Sequence, residues 1–555
     1  MSMKYYKSYL ILLFVLSAVF RLYRLSSIPE GFHADEAVYG YNAYSILKTG
    51  EDEYGKKFPL IFQSFGDYKG AIYSYLTMPF IAVFGLNEFA VRLPTALAGL
   101  FIVALSIYLI HILTRDDALS LLAGTMISFS PSSLILSRVQ SDPLVGVCFI
   151  FIGWYCIDKF IQVKKWSWIA GSIIFWVASC FTNPAPRVLL LGFIPLLFIY
   201  YLRLLKKWDK VIFFLTYITI TSVILCLLYG ASGTRYGQTS VFSSQEVILP
   251  MEEQIREDGI SKLPAIFARA FHNKSLDYGR FVIHNYSLYF GFDFLFFQSH
   301  EPVREKIPNT GFLYLIDLPF LLIGLYQIVR SSKRWGYFIV GWLLFTPLSL
   351  SIYNQETPNI HRYYFSILPL SLLSAYGIDV VITKVKKAWK TVAGIGIVIL
   401  YSVSVAYFLH QLFIHQPLHE PYFRGYAYKE LVYELEHIQK NYDRIVITKA
   451  HQSPYIYFLF YMKYDPLIYQ RMGSPRDLDY SGFDKFIFVP DNCPGLIQQG
   501  STTNQFVGNR TLYVNYGGCE MKKNSKLLKT IYWRNHHAAF QLVENVLITP
   551  SIMAK

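Results

Sequence analysis

Residues 31–100 read GFHADEAVYGYNAYSILKTGEDEYGKKFPLIFQSFGDYKGAIYSYLTMPFIAVFGLNEFAVRLPTALAGL. Through Lys57 the stretch mixes acids, lysines and tyrosines, a composition too polar to lie in hydrocarbon. From Glu88 onward, Glu-Phe-Ala-Val-Arg-Leu-Pro leads into an apolar run (91–113) long enough to cross a bilayer. The stretch therefore reads as a water-facing loop that feeds a membrane span, and the rest of the chain repeats that apolar pattern.

Composition agrees. The 555 residues are 53% hydrophobic, 17% aromatic and 16% charged, with a mean hydropathy of +0.32. Soluble proteins carry about 25% charged residues, so a disordered chain, a fibrous chain and an ordinary cytosolic enzyme are excluded. The net charge is +14. Basic residues on a membrane protein mark cytoplasmic loops. With no Lys/Arg-rich tail, zinc spacing or nucleic-acid motif, the sequence predicts no nucleic-acid partner.

Eleven apolar runs have spanning character, near 8–25, 91–113, 118–136, 143–160, 166–182, 187–204, 209–230, 311–330, 336–352, 363–382 and 391–411. The first has Lys4 and Lys7 ahead of it, but no small-residue cleavage site, and it runs into Arg21 and Arg24. It reads as a retained span rather than a signal peptide. With the N-terminus in the cytoplasm, the inside segments hold 17 Lys/Arg in 41 residues. The short outside loops 135–142, 183–187 and 353–362 hold 3 in 23. That asymmetry supports this orientation, and an odd number of spans puts the C-terminus outside.

The expected fold is mainly α: a polytopic transmembrane helix bundle of about 11 spans with a small C-terminal extracytoplasmic α/β domain. The division expected is 1–414 and 415–555, with long outer loops at 26–90 and 231–310. In the tail, 428–441 has helical spacing, and Ile445-Val446-Ile447 and Phe486-Ile487-Phe488-Val489 read as short buried strands. Cys148, Cys156, Cys180 and Cys226 fall in spans as small apolar groups. Cys493 and Cys519 fall in the outer tail, where pairing and two free thiols both stay open.

Candidate chemistry concentrates outside. Asp35 and Glu36 open a helix carrying Val38, Tyr41, Tyr44, Ile46 and Leu47, a pattern expected to lie along the membrane surface. Two readings stand for the acids: capping of a helix start, or a carboxylate that takes a proton from an acceptor nucleophile. Downstream, Asp67-Tyr68-Lys69 precedes an apolar run. Lys69 can snorkel to the interface or hold a lipid phosphate as a point charge. Each short outer loop carries one Arg, in Ser137-Arg138-Val139-Gln140-Ser141-Asp142, Asn183-Pro184-Ala185-Pro186-Arg187 and Ile360-His361-Arg362. Taken singly they read as interfacial anchors. Together with Lys69 they would form a cationic pocket suited to a lipid-linked phosphate. Lys48, Lys56 and Lys57 read as solvated.

The stretch 31–100, with SPSSLILSR (130–138), HNKSLDYGRFVIHNYSLYFGFDFLFF (272–297), GFLYLIDLPFLLIGL (311–325) and HRYYFSILPL (361–370), resembles bacterial family-39-type glycosyltransferases. These are relatives of the protein O-mannosyltransferases and the lipid A aminoarabinose transferase, with the GT-C fold. The likeness covers most of 20–380. In the tail it is looser, carried mainly by YIYFLFYMKYDPLIYQ (455–470). It implies an integral-membrane inverting enzyme that moves a sugar from a polyprenyl-phosphate carrier to an extracytoplasmic acceptor. Asp35 would be catalytic with Glu36 beside it. Lys69, helped by Arg138, Arg187 and Arg362, would bind the carrier's phosphate. Asp142, Asp67 and His361 are further candidates. Relatives carry Glu-Lys where this chain has Asp67-Tyr68-Lys69, so Asp67 is carried without an assigned role. The Trp-Trp-Asp signature of oligosaccharyltransferases is absent from the tail, which argues against whole-glycan transfer to Asn. A divalent cation stays open: Asp35, Glu36 and Asp142 offer suitable oxygens, but no His/carboxylate spacing requires a metal.

Two other classes compete. A transporter or lipid flippase would explain the spans, but predicts two related halves with mid-membrane charges, and no duplication is visible. A non-catalytic envelope scaffold would leave Asp35 and Lys69 unexplained.

Overall fold

The computed structural model describes residues 3–229, 240–243, 245–298, 302–354, 356–419, 421–451, 453–472, 482–495, 510–520 and 525–545. Parts of the expected 231–310 loop and of the tail lie outside the described residues. The chain forms two compact units: Met1–Tyr23, Tyr68–Ile72 and Pro94–Gln411 make one, and Arg24–Asp67, Tyr73–Leu93 and Leu412–Lys555 the other. The outer-loop segments thus group with the tail.

The first unit is helical. It contains α1 (Met3–Leu22), most of α4 (Glu88–Thr114), α5 (Asp117–Phe129), α6 (Pro131–Leu136), α7 (Asp142–Val163), α8 (Trp166–Cys180), α9 (Pro184–Tyr201) and α10 (Lys207–Tyr229), then helices Asp317–Ser331, Arg334–Leu350, Ile367–Lys384 and Lys390–His410. All eleven apolar runs fall on helices. Among the described residues, six helices combine the length and apolarity to cross a membrane: Glu88–Thr114, Asp142–Val163, Pro184–Tyr201, Lys207–Leu228, Ile360–Lys384 and Lys387–His415. The run 118–136 is not one helix. It breaks at Ser130, whose side chain caps α6 with Pro131 in the first turn. Proline lacks the N–H that would continue α5 and suits the start of a new helix.

The core of this unit is aromatic. Trp154, Phe193, Phe338, Trp342 and Phe365 meet with ring centroids 4.7–6.2 Å apart in tilted and edge-to-face pairs, the arrangements that ring quadrupoles favour. Helices Asp317–Ser331 and Ile367–Lys384 pack backbone to backbone. A Cβ on Gly324 would overlap the Leu373 carbonyl, and one on Gly377 the Phe320 carbonyl, so small residues permit the close crossing. Buried Asp158 is satisfied by Tyr108 (2.8 Å), Tyr201 (3.1 Å) and Gln162 (2.5 Å).

The second unit joins α2 (Ala34–Thr49) to a six-stranded sheet. Strands β3 (Arg444–Thr448), β4 (Gly482–Phe483), β5 (Phe486–Val489), β6 (Thr511–Tyr516), β7 (Ser525–Tyr532) and β8 (Ala538–Asn545) run in the order β4-β5-β3-β6-β8-β7. β3 is central, parallel to β5 and β6, and its buried Ile445, Val446 and Ile447 are the continuous apolar run a covered parallel strand needs. The expected helix at 428–441 is Tyr426–Ile438 extended by a 3-10 turn. Cys493 and Cys519 are paired, joining the loop after β5 to the turn after β6. The expectation of a surface-lying α2 is corrected: Val38, Tyr39, Tyr41, Asn42 and Ile46 are buried on all sides of the helix. Gly40 is the reason at one point, because Val91 and Phe460 close over it with no room for a Cβ.

Candidate active site

The first cluster lies wholly in the second unit. His33 is the N-cap of α2: its side chain accepts from Asp35 N (3.1 Å), and Glu36 Oε2 accepts from His33 N (2.9 Å). This reciprocal capping box uses two of the orphan donors at a helix start. His33 and Glu36 form the box, and the Asp35 carboxylate is left partly exposed (28%), 3.5 Å from His33 Nδ1.

Glu36 has a different environment. It is 2% exposed. Its Oε1 accepts from Arg92 Nε (2.9 Å), and its Oε2 accepts from Arg92 Nη2 (3.2 Å) and Arg424 Nη2 (2.8 Å). Arg92 also donates to the carbonyls of Leu25 (3.1 Å), Pro29 (3.2 Å) and Gly31 (2.6 Å). Burial pushes the Glu36 carboxyl up, but Arg92 and then Arg424 outweigh it and hold it below the ordinary range. Tyr457 is buried beside the acids. Burial first, then Tyr428, Glu36 and Asp35, pushes its phenol well above the usual range, so it stays a protonated donor.

The second cluster, from Lys69 onward, lies in the first unit. β1 (Ile61–Ser64) belongs to the second unit, and the chain turns through Phe65 and Gly66, at φ 51° and 75°, into β2 (Asp67–Gly70), which leads into the first. Lys69 on β2 is 6% exposed. At Gly70 the strand lies so close to the Phe181 and Thr182 carbonyls that a Cβ would overlap them. Lys69 is thereby placed beside the turn that leads to Arg187. Arg187 is 5% exposed, and its Nε donates to Cys180 O (2.9 Å). Asp142 accepts from Asn183 Nδ2 (2.9 Å) and Gln140 Nε2 (3.2 Å). Ser141 Oγ meets His361 Nδ1 at 2.8 Å, and His361 Nε2 lies 3.8 Å from Glu305. Arg362 is half-buried, 4.7 Å over the Tyr353 ring.

The structure thus brings Lys69, Asp142, Arg187 and His361 into one connected set of turns. Arg138 has another task. It is fully buried, and its Nη1 and Nη2 donate to the Phe20 (2.5 Å) and Tyr23 (2.7 Å) carbonyls, closing the C-terminal end of α1. Among the described residues no group of three or more His, Cys, Asp or Glu side chains could hold a metal ion. Glu36 would have to give up two guanidiniums to ligate one. Sequence reasoning missed Arg92, Arg424, Glu305 and Asn183. Arg92 stood inside a quoted motif, but no local signal pairs Arg424 with a residue 388 positions away.

Residues 11–246 match the family model described as dolichyl-phosphate-mannose-protein mannosyltransferase. That match spans less than half of the chain and likens its N-terminal part to this family. The chain is a multi-pass membrane protein. Among solved structures, the chain is similar to ArnT from Cupriavidus metallidurans. With undecaprenyl phosphate bound, that protein matches at 12% identity and TM-score 0.53, covering 98% of each chain. In the apo state it matches at 11% and 0.50, covering 97% of this chain and 98% of that one. The archaeal oligosaccharyltransferase AglB from Archaeoglobus fulgidus, in complex with an inhibitory peptide and a dolichol-phosphate, matches at 11% and 0.48, covering 92% and 69%. The likeness to ArnT is one of fold, and it gives the chain a mainly helical GT-C bundle with a C-terminal α/β domain. No curated protein sequence matches the chain.

Proposed function

We propose that the enzyme transfers a sugar, with inversion, from a polyprenyl phosphate to an acceptor outside the cytoplasm, and that Asp35 is the base. The observation that carries this reading is the split between the two acids. Glu36 is locked by two arginines, while Asp35 keeps a partly exposed carboxylate at the helix start. Asp35 takes the acceptor's proton as the acceptor attacks the anomeric carbon. The phosphate leaves from the opposite side carrying its own charge, so no general acid is needed, unlike in glycoside hydrolysis. Lys69, with Arg187 and Arg362, stabilises that charge in a partly dry site, where fixed cations act strongly.

The N-terminus is cytoplasmic, and the C-terminal domain and active site are extracytoplasmic. The loop-charge asymmetry and the paired Cys493 and Cys519 support this orientation. Residues 1–414 carry the transfer and 415–555 form the appended domain. The carrier is a polyprenyl phosphate, the class of the undecaprenyl phosphate named for ArnT. The test is turnover of a synthetic polyprenyl-phosphate sugar by the protein reconstituted in lipid. Release of polyprenyl phosphate with sugar of inverted configuration in the product is expected. A product of retained configuration overturns the one-step displacement.

A further inference from the structure

We propose that Arg424, supplied by the C-terminal segment, is a positioning residue for Asp35. It holds Glu36, and through the His33–Glu36 capping box it fixes the first turn of α2. The proposal rests on the reading of Asp35 as base and gives that reading a second requirement, a part of the tail.

Charge arithmetic is the starting point. A buried carboxylate needs one cation, and Glu36 has Arg92 at 2.9 Å. Arg92 is also satisfied by three backbone carbonyls. Arg424 adds a second guanidinium at 2.8 Å, itself 2% exposed. Glu36 is thus already paired by Arg92 when Arg424 reaches it.

Placement is what Arg424 adds. Its Nε donates to Glu30 O (3.1 Å) while Nη2 reaches Glu36 Oε2, so one planar group fixes both the chain ahead of α2 and the acid in its first turn. Its backbone seats against Gly31, where a Cβ would stand 2.6 Å from the Arg424 carbonyl oxygen and 2.7 Å from its Cβ. Immediately afterwards Gly425, at φ 59°, is the N-cap residue of helix Tyr426–Ile438. A residue with a Cβ rarely takes that conformation. The left-handed turn lets Arg424 point at Glu36 while the next residue starts a helix. His33, Glu36 and Asp35 are consecutive parts of one cap, so a shift at Glu36 Oε2 moves the hydrogen bond to His33 N and the backbone that carries Asp35.

The test is steady-state kinetics of the full-length enzyme in lipid, with a synthetic polyprenyl-phosphate sugar as donor. Arg424→Gln, Arg424→Lys and Asp35→Asn are compared with the wild type, and thermal unfolding is read on the same samples. Arg424→Gln leaves Glu36 paired with Arg92 and is expected to stay folded. Its kcat should fall about 10- to 100-fold, the scale of a sub-ångström to ångström misplacement, with donor KM nearly unchanged. Arg424→Lys keeps the charge but loses the fork, and should recover part of kcat. A folded Arg424→Gln enzyme with wild-type kcat, or one whose defect lies in donor KM, overturns the proposal. Should Arg424→Gln fail to fold, Arg424→Lys carries the same test: wild-type kcat overturns the proposal, and lowered kcat at unchanged KM upholds it. An inactive Asp35→Asn beside an undiminished Arg424→Gln overturns this proposal alone. An active Asp35→Asn removes the base and, with it, what Arg424 positions.

Discussion

Ser141 Oγ lies 2.8 Å from His361 Nδ1, and the two residues are 220 positions apart in the chain. The contact ties the turn that starts α7 to the turn that carries Arg362. Ser141 is also the α7 N-cap. Glu305 stands 3.8 Å from the other imidazole nitrogen and 3.2 Å from Arg304, so three interhelical segments of the first unit meet at His361.

His361→Phe should therefore destabilise the protein. It takes the partner from buried Ser141, a loss of about 1–3 kcal/mol for a buried polar group. Ser141→Ala loses the same bond together with a helix cap, which adds about 0.5–2 kcal/mol. Thermal unfolding in detergent reads both. The double variant should fall well short of the summed losses, because the two residues share one interaction.

Glu36→Gln should cost stability rather than only rate, because Arg92 and Arg424 would face a neutral amide. Breaking a buried pair by removing one partner costs about 3–5 kcal/mol. The pH dependence has a definite sign. The folded-state pKa of Glu36 is depressed, so its contribution is present above the ordinary glutamate value and is lost as pH falls through the folded value. Glu30 and Asp52 are shifted upward, chiefly by burial, and act in the opposite direction. The diagnostic quantity is the gap in melting temperature between wild type and Glu36→Gln. It should be constant from neutral pH to about pH 5 and shrink below the usual carboxylate range.

Lys69→Ala should weaken donor binding and slow transfer more than Lys69→Arg, which keeps the charge in a different geometry. Lys69 is 6% exposed, whereas Lys56 and Lys57 are exposed on the same loop, so Lys56→Ala is the control. Binding and turnover of a synthetic polyprenyl-phosphate sugar check this. Equal small effects at Lys69 and Lys56 would mean that the outer cations are interfacial anchors.

The apolar helices were legible because hydrophobic length is a local signal. The central strand was legible in Ile445-Val446-Ile447 for the same reason. The roles of the two acids were not separable, because both suit a helix start. The partners that separate them, Arg92 and Arg424, are 56 and 388 positions away from Glu36. Arg138 was misleading for a physical reason. A cation outside the membrane invites a phosphate reading, but carbonyls left open at the end of α1 satisfy it equally well. The break at Ser130-Pro131 was written in the sequence and hidden by the apolarity around it.

The orientation has its own check. In intact cells Cys493 and Cys519 should resist a membrane-impermeant maleimide until a reductant is added, then react. Cys148 and Cys180, buried among the helices, should stay unreactive throughout. Labelling of the tail cysteines only after the membrane is opened would place the C-terminal domain in the cytoplasm and contradict the proposed topology.

The most direct test of the mechanism is the transfer rate of purified Asp35→Asn at saturating polyprenyl-phosphate sugar. The substitution keeps side-chain size and leaves the His33–Glu36 capping box in place, so folding and donor binding should persist. Loss of a general base costs about 10²–10⁴-fold in rate, and a fall of that size in kcat with donor affinity retained is the expected result. A rate close to wild type would contradict the assignment of Asp35 as the base.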